Sequence, residues 1–329
     1  MQVVTVDLIK GKKVLLRLDI DVPLENGRVV DDFRLKAGLQ TLRLCLENAE
    51  EVIILGHIGR PEGREVPELS VAPIHDWLVS QDLRSHMESG KLKLLENLRF
   101  EKDEEDCNPE YAKQLATLGN FFVNEAFASY RPASSTTVLP TLLPHAAGLR
   151  FTKEVDKLTE IRDNPKKPFI AIMGGVKMED KLPVINVLAE KANAVLIGGK
   201  LATIIHEESF NFSHHVLAGH LTADGLDIAP ETIGAWEPLI KGARMIVWNG
   251  PLGQIQNLGS AKGTYEIARF LLDSEAEIIV GGGDTVGFLQ AVGLLDQFLQ
   301  KDNIFVSVGG GAMLKFLVDG TLPTIEALK

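Results

Sequence analysis

Short runs of aliphatic, often β-branched residues recur along the chain at 14–18, 52–55, 92–95 and 121–123. They appear again at 169–173, 195–197, 245–248, 278–280 and 304–308. Each is too short for a helix and is bounded by turn-forming residues, so each reads as a buried strand. Between the runs, apolar positions fall three or four apart, as at Leu182, Ile185, Leu188 and Ala189, which marks one helix face. Strands alternating with helices predict an α/β fold with mainly parallel sheets, because parallel neighbours need a crossover connection. With 329 residues there is room for about two domains of ~150 residues. The pattern is interrupted near 148–168. Residues 151–162 read as a polar helix, and Asn164-Pro165-Lys166-Lys167-Pro168 stops it before the next strand.

Composition narrows the class. The net charge of −11 argues against nucleic acid as a main partner. No apolar run approaches the ~20 residues of a membrane span, and the N-terminus lacks a signal-peptide pattern. A cytoplasmic protein without a membrane partner is expected. Cys45 falls in an amphipathic helix pattern and Cys107 in an acidic stretch, 101–106, that reads as a solvated loop; neither has metal-type spacing. His206, His214, His215 and His220 also follow no standard ligand spacing and read as loop residues.

The residues just after each strand differ between the two halves. In the first half the ends are polar and often basic: Arg17-Leu18-Asp19-Ile20-Asp21, His57-Ile58-Gly59-Arg60, Glu96-Asn97-Leu98-Arg99 and Asn124-Glu125. In the second half they are glycine-rich: Gly174-Gly175-Val176-Lys177, Gly198-Gly199-Lys200, Asn249-Gly250-Pro251, Gly281-Gly282-Gly283-Asp284-Thr285 and Gly309-Gly310-Gly311. Ligands of open α/β sheets sit beyond the carboxyl ends of the strands. Glycine lets backbone approach a ligand closely, and N–H groups of the next helix can face phosphate. Any single Gly-Gly pair is explained by a turn. Five in succession point to a nucleotide half facing an anion-binding half. No Gly-x-x-x-x-Gly-Lys-Ser/Thr run, dinucleotide fingerprint, zincin spacing or Gly-x-Ser-x-Gly elbow is present.

Taken in order, VLLRLDIDVPL, VVDDFR, GHIGRP, LLENLRF, FVNEAF, FIAIMGGVKMEDK, LIGG, IVWNGPLG, IIVGGGDT, VSVGGGA and LPTIEAL resemble the phosphoglycerate kinase family from about residue 3 to 328. The resemblance implies two Rossmann-like domains joined by a hinge near 150–168. These would be a 3-phosphoglycerate domain at 1–150 and a nucleotide domain at 151–311. A C-terminal tail at 312–329 would return to the first. It implies phosphoryl transfer between 1,3-bisphosphoglycerate and ADP, in glycolysis, by a monomer. The substrate set would be Asp19, Asp21, Arg34, His57, Gly59, Arg60, Arg99 and Arg131. Gly174, Gly175, Lys181, Gly198, Gly199, Asn249, Pro251 and Gln256 would hold ADP or ATP with Gly282, Gly283, Asp284 and Thr285. Asp284 would be the Mg²⁺ ligand, and Arg34, Lys177 and Thr285 the catalytic set. Both nucleophiles of such a reaction are anionic at neutral pH, so cations and N–H donors are needed and a general base is not. Asp284-Thr285 before Val286, Phe288 and Leu289 reads as an N-cap and helix.

Several positions depart from the family. Asp21 replaces an asparagine and sets a second carboxylate beside Asp19, which needs a compensating cation or proton. Residues 125–137 lack both histidines of the family's His-Arg-Ala-His stretch, and Arg131 aligns with its arginine across a one-residue gap. Gln256 stands for a ribose-binding glutamate, and Val308 for a hydroxyl residue. The segment 201–226 is dozens of residues short, which puts a sheet edge or the adenine-side wall in question. An active kinase is one reading. A relative that binds nucleotide or phosphate without turnover is the other.

Overall fold

The computed structural model describes residues 1–329 apart from 209, 211, 213–214 and 257–259, so His214 lies outside the described residues. The chain forms two units, Met1–Val155 with Thr321–Lys329, and Asp156–Gly320.

In the first unit, β1 (Lys13–Arg17), β4 (Glu51–Leu55), β5 (Leu92–Leu94), β6 (Phe121–Asn124) and β7 (His145–Ala147) form a parallel sheet in the order β5-β4-β1-β6-β7. A separate antiparallel hairpin joins β2 (Leu24–Glu25) to β3 (Arg28–Val29) through Asn26-Gly27. Both turn residues have positive φ, the conformation that an Asn-Gly pair favours. Leu16 lies between Ile54 and Val123 in register, and all three are fully buried. Such near-continuous burial is what a sheet covered on both faces requires. The helix Phe33–Asn48 lays Leu35, Gly38, Thr41, Leu42, Cys45 and Leu46 against this core, a spacing that repeats along one helix face.

In the second unit, β8 (Phe169–Met173), β9 (Ala194–Ile197), β10 (Val216–Ala218), β11 (Met245–Asn249), β12 (Glu277–Gly281) and β13 (Ile304–Val306) are all parallel, in the order β10-β9-β8-β11-β12-β13. In both sheets the winding reverses beside the first strand of the unit. The reversal lies between β1 and β6 in one and between β8 and β11 in the other. A crevice opens at such a reversal, so the topology marks residues after β1, β6, β8 and β11.

The predicted strands are found with ends shifted by a residue or so, as usual at element termini. The edge strands β7 and β10 were not foreseen. With β10 present, the sheet edge questioned by the short 201–226 segment is in place. Residues 101–106, expected as a solvated loop, are exposed apart from Glu104. Lys102–Glu105 is a helical turn, and Glu104 is buried, accepting from the backbone N–H and hydroxyl of Ser135. The polar helix near 151–162 is Leu149–Asp163, and it crosses the boundary between the units. The short helix Pro323–Glu326 packs against the turn Ser134–Val138 of the first unit. No helix among the described residues is long and apolar enough to cross a membrane.

Candidate active site

In the first unit, the polar residues after β1 are fixed by one another. Arg17, the last residue of β1, is buried. It donates through Nε to Ser135 Oγ (3.0 Å), through Nη1 to the Leu18 carbonyl (2.7 Å) and through Nη2 to His57 Nδ1 (2.7 Å). Burial pulls the Arg17 pKa down, and the carboxylates of Glu104 and Asp19 hold it up. Since Nδ1 accepts from a guanidinium, the His57 proton sits on Nε2. Burial, and after it the charges of Arg17, Arg99 and Arg34, push His57 well below its usual pKa. His57 is therefore a neutral donor, and its 4.0 Å approach to Asp21 Oδ2 is not an ion pair.

Asp19 accepts from the Ala128 N–H and the Ser129 hydroxyl, both at 2.7 Å. Burial raises its pKa, and Arg34 opposes the rise most strongly. Asp21 accepts from the Gly59 N–H (2.9 Å), and Arg34 Nη1 donates to the Asp21 carbonyl (2.7 Å). Of those two contacts, only the Gly59 N–H meets the extra carboxylate itself. Gly59 has φ of +63°, the left-handed region that favours glycine, and its carbonyl accepts from Arg99 Nη1 (2.8 Å). Arg99 also pairs with Glu105 at 3.2 Å. Asp19, Asp21, Arg34, His57, Gly59 and Arg99 thus form one linked group. Arg60 and Arg131 are exposed, and neither side chain is tied into that group. Sequence reasoning placed Arg17 in a basic strand end without giving it a role, and missed Ser129, Ser135 and Glu104. Only Arg17's place at the end of a strand could have signalled its role.

In the second unit, the site is built from backbone. The Gly174 N–H donates to the Asn249 carbonyl and the Gly175 N–H to the Pro251 carbonyl, both at 3.0 Å. A Cβ on Gly250, whose φ is +99°, would stand 2.1 Å from the Gly174 carbonyl oxygen, so the two loops meet only because both residues lack one. Lys181, in the first turns of Met178–Lys191, donates to Asn249 Oδ1. Asn249 is buried and its Nδ2 has no hydrogen-bond partner. Lys177 is the exposed N-cap of that helix. The reading of Asp284-Thr285 as an N-cap is corrected. The cap is Gly282, φ +105°, and the helix is Gly283–Ala291. Thr285 lies inside its first turn, buried, and its hydroxyl accepts from the Gly250 N–H (2.8 Å). Asp284 is exposed beside it.

A pocket of about 470 Å³ runs along these strand ends. Gly175, Gly199, Pro251, Gln256 and Asp284 line it, together with Lys200, which the sequence sets in a glycine-rich strand end but which was not placed in the site set. Gly198, the N-cap of Gly199–Glu207, is buried and is not among the lining residues. Gly225 and Leu226 close the side where the chain is short. His206 and His220 stack in parallel with centroids 5.5 Å apart, and the described residues contain no group of three or more that could hold a metal ion.

The family model described as phosphoglycerate kinase matches residues 4–211 and 210–320. The phosphoglycerate kinase of Koribacter versatilis is 33% identical over 395 aligned positions, covering 97% of each chain. That of Moorella thermoacetica is 33% identical over 385, with the same coverage. These alignments are longer than the 329-residue chain, and the family match breaks at 210–211, where the chain is short. The phosphoglycerate kinase structure from Coxiella burnetii has a TM-score of 0.82 at 29% identity, covering 97% of this chain and 96% of its own. That from Pyrococcus horikoshii has a TM-score of 0.83 at 27%, with the same coverage. Sequence likeness over nearly the whole length, a family model that matches most of the chain and likeness to solved structures agree, and the chain belongs to the phosphoglycerate kinase family.

Proposed function

We infer that the protein is a working phosphoglycerate kinase of glycolysis, transferring a phosphoryl group between 1,3-bisphosphoglycerate and ADP to give 3-phosphoglycerate and ATP. One observation carries the reading. Each sheet places a different anion-binding device at its winding reversal, a linked group of cations and donors after β1 and a glycine-lined pocket with a carboxylate after β8, β11 and β12.

The first unit takes the phosphoglycerate. Arg34 and Arg99 offer planar forks to carboxylate or phosphate, and His57 offers Nε2–H without competing for a proton. The second unit takes the nucleotide, with the orphaned Asn249 Nδ2 as a donor in want of an acceptor. Gln256 lines the pocket as a neutral hydrogen-bonding partner for ribose. Mg²⁺ fits this donor set. A lone exposed carboxylate, Asp284, suits an ion that arrives on nucleotide phosphates and needs one or two protein oxygens. Bound there, it would offset charge on the phosphate oxygens. Arg34 and Lys177 neutralise the migrating group. Lys177 caps its helix on an exposed loop, so its flexible stem can follow that group. Thr285 holds the Gly250 turn in place. Acyl phosphate and nucleotide must meet in line, and the helix Leu149–Asp163 is the proposed hinge for that closure.

The test is a coupled assay with 3-phosphoglycerate, MgATP and a second enzyme that consumes the acyl phosphate. Turnover that Asp284→Ala reduces by ~10²-fold or more is the expected result. Saturable nucleotide binding with no turnover would refute the reading.

A further inference from the structure

Three elements meet on one buried carboxylate outside both strand-end sites. Glu125 follows β6 and is 3% exposed. Its Oε1 accepts from the Thr41 hydroxyl (2.5 Å) and the Arg150 N–H (3.0 Å), and its Oε2 from the Phe151 N–H (3.0 Å). Thr41 Oγ1 in turn accepts from the Leu149 N–H (2.9 Å). The carboxylate and its threonine therefore satisfy three of the free N–H groups at the start of Leu149–Asp163, the helix that continues into the second unit. The fit is close, since a Cβ on Gly148 would stand 2.0 Å from Glu125 Oε2.

Apart from the helix Leu149–Asp163, each element that reaches Glu125 also carries substrate-side residues. Thr41 lies on the helix Phe33–Asn48, two turns after Arg34. The Glu125 N–H donates to the carbonyl of Arg17, the residue that holds His57. Three residues on, the Ala128 N–H and then Ser129 hold Asp19. A shift of the helix start at 149–151 must move Glu125, and with it Arg17, Asp19 or Arg34.

We propose that Glu125 is a positioning residue whose ionised carboxylate pins the helix into the second unit to the strand ends that shape the phosphoglycerate site, so that turnover requires it charged. The proposal rests on the kinase reading above. The Thr41 hydroxyl and the Arg150 and Phe151 N–H groups all donate to the carboxylate, so a proton on it takes away the charge that strengthens all three bonds. The charge also favours the positive end of the helix dipole. Burial pushes the Glu125 pKa up to about 7, against the hydrogen bonds from Phe151, Thr41 and Arg150. Few charged groups face it. Arg150 is directed to Glu154 on its own helix, at 2.8 and 2.9 Å. From Phe33–Asn48 comes the Cys45 thiol, which burial and Glu125 push up to about 12, leaving it neutral. The switch therefore lies near neutrality and belongs to Glu125.

Two measurements decide it. In the wild-type enzyme kcat rises about tenfold from pH 6 to pH 8, while KM for 3-phosphoglycerate changes little more than in the variants. Glu125→Gln lowers kcat by about tenfold at pH 8 and flattens the profile, and Glu125→Asp restores part of both. A Gln variant with wild-type kcat, or with the same acid limb, overturns the proposal. The second measurement needs no variant and no turnover. In isotope-labelled wild-type protein, the Glu125 carboxyl carbon and the Arg150 and Phe151 amides shift together with a midpoint near pH 7. A carboxyl that does not titrate between pH 5.5 and 8.5, or amides that do not follow it, overturns the proposal even if Glu125→Gln fails to fold. Absence of wild-type turnover, by contrast, removes the kinase reading.

Discussion

In the first unit the candidate site is made of side chains, and each is held by another. Arg17 holds His57, Ser129 holds Asp19, and Gly59 is held between Asp21 and Arg99. In the second unit it is made mainly of backbone, where loops approach because Cβ atoms are missing at Gly174 and Gly250. Under the proposed function, the difference matches the ligands. A small acid with two anionic ends needs charges at fixed points, which side-chain networks supply. A nucleotide presents a long polyphosphate edge, which a row of turns and helix starts can follow. The first kind of site fails through loss of a charge or an orienting partner. The second fails through addition of bulk.

The largest expected effect separates transfer from binding. Arg34→Ala and Lys177→Ala each lower kcat by ~10³-fold, the scale of a lost transition-state cation. Steady-state kinetics at saturating substrates measures it, and losses under tenfold at both sites would place the charges outside the chemistry. Next comes Gly250→Ala. The added methyl forces Gly174 away and costs about 3 kcal/mol of stability. Nucleotide affinity falls with it while phosphoglycerate affinity holds, which urea melts and calorimetric titrations of each ligand can read. Equal weakening of both ligands would erase the contrast between the two sites.

A finer test concerns His57. Because its folded pKa lies well below the ordinary value, it stays neutral on both sides of pH 6.5. Substrate phosphate titrates in that range, so the comparison is between proteins. The KM profiles of wild type and His57→Gln, a neutral donor of similar reach, run parallel and within about tenfold. A tightening below pH 6.5 seen only in the wild type would mean that His57 takes up a proton. The smallest effect is that of Asp21→Asn. Its side chain is 42% exposed, so removing the charge improves 3-phosphoglycerate affinity by only a few-fold. A loss of affinity would instead make Asp21 a partner of the substrate.

The sequence alone determined the α/β class, most of the strands and the glycine-rich character of the second half, because each is written within five to fifteen neighbouring residues. It also set the order of the motifs. It did not reveal the edge strands β7 and β10, three residues each and too short to carry a period. Nor did it locate the cap at Gly282, since an Asp-Thr pair inside a helix start looks like one in front of it. Burial of Glu104 was hidden for the same reason, because its acidic neighbours describe a surface while its partner Ser135 stands 31 residues away. Only the tertiary structure joined Arg17 to Ser135 across 118 residues and Glu125 to Thr41 across 84. Local pattern reports which face of an element is apolar. Which buried charge meets which donor depends on chain crossings that no local window contains, and those crossings make His57 neutral and Glu125 a joint.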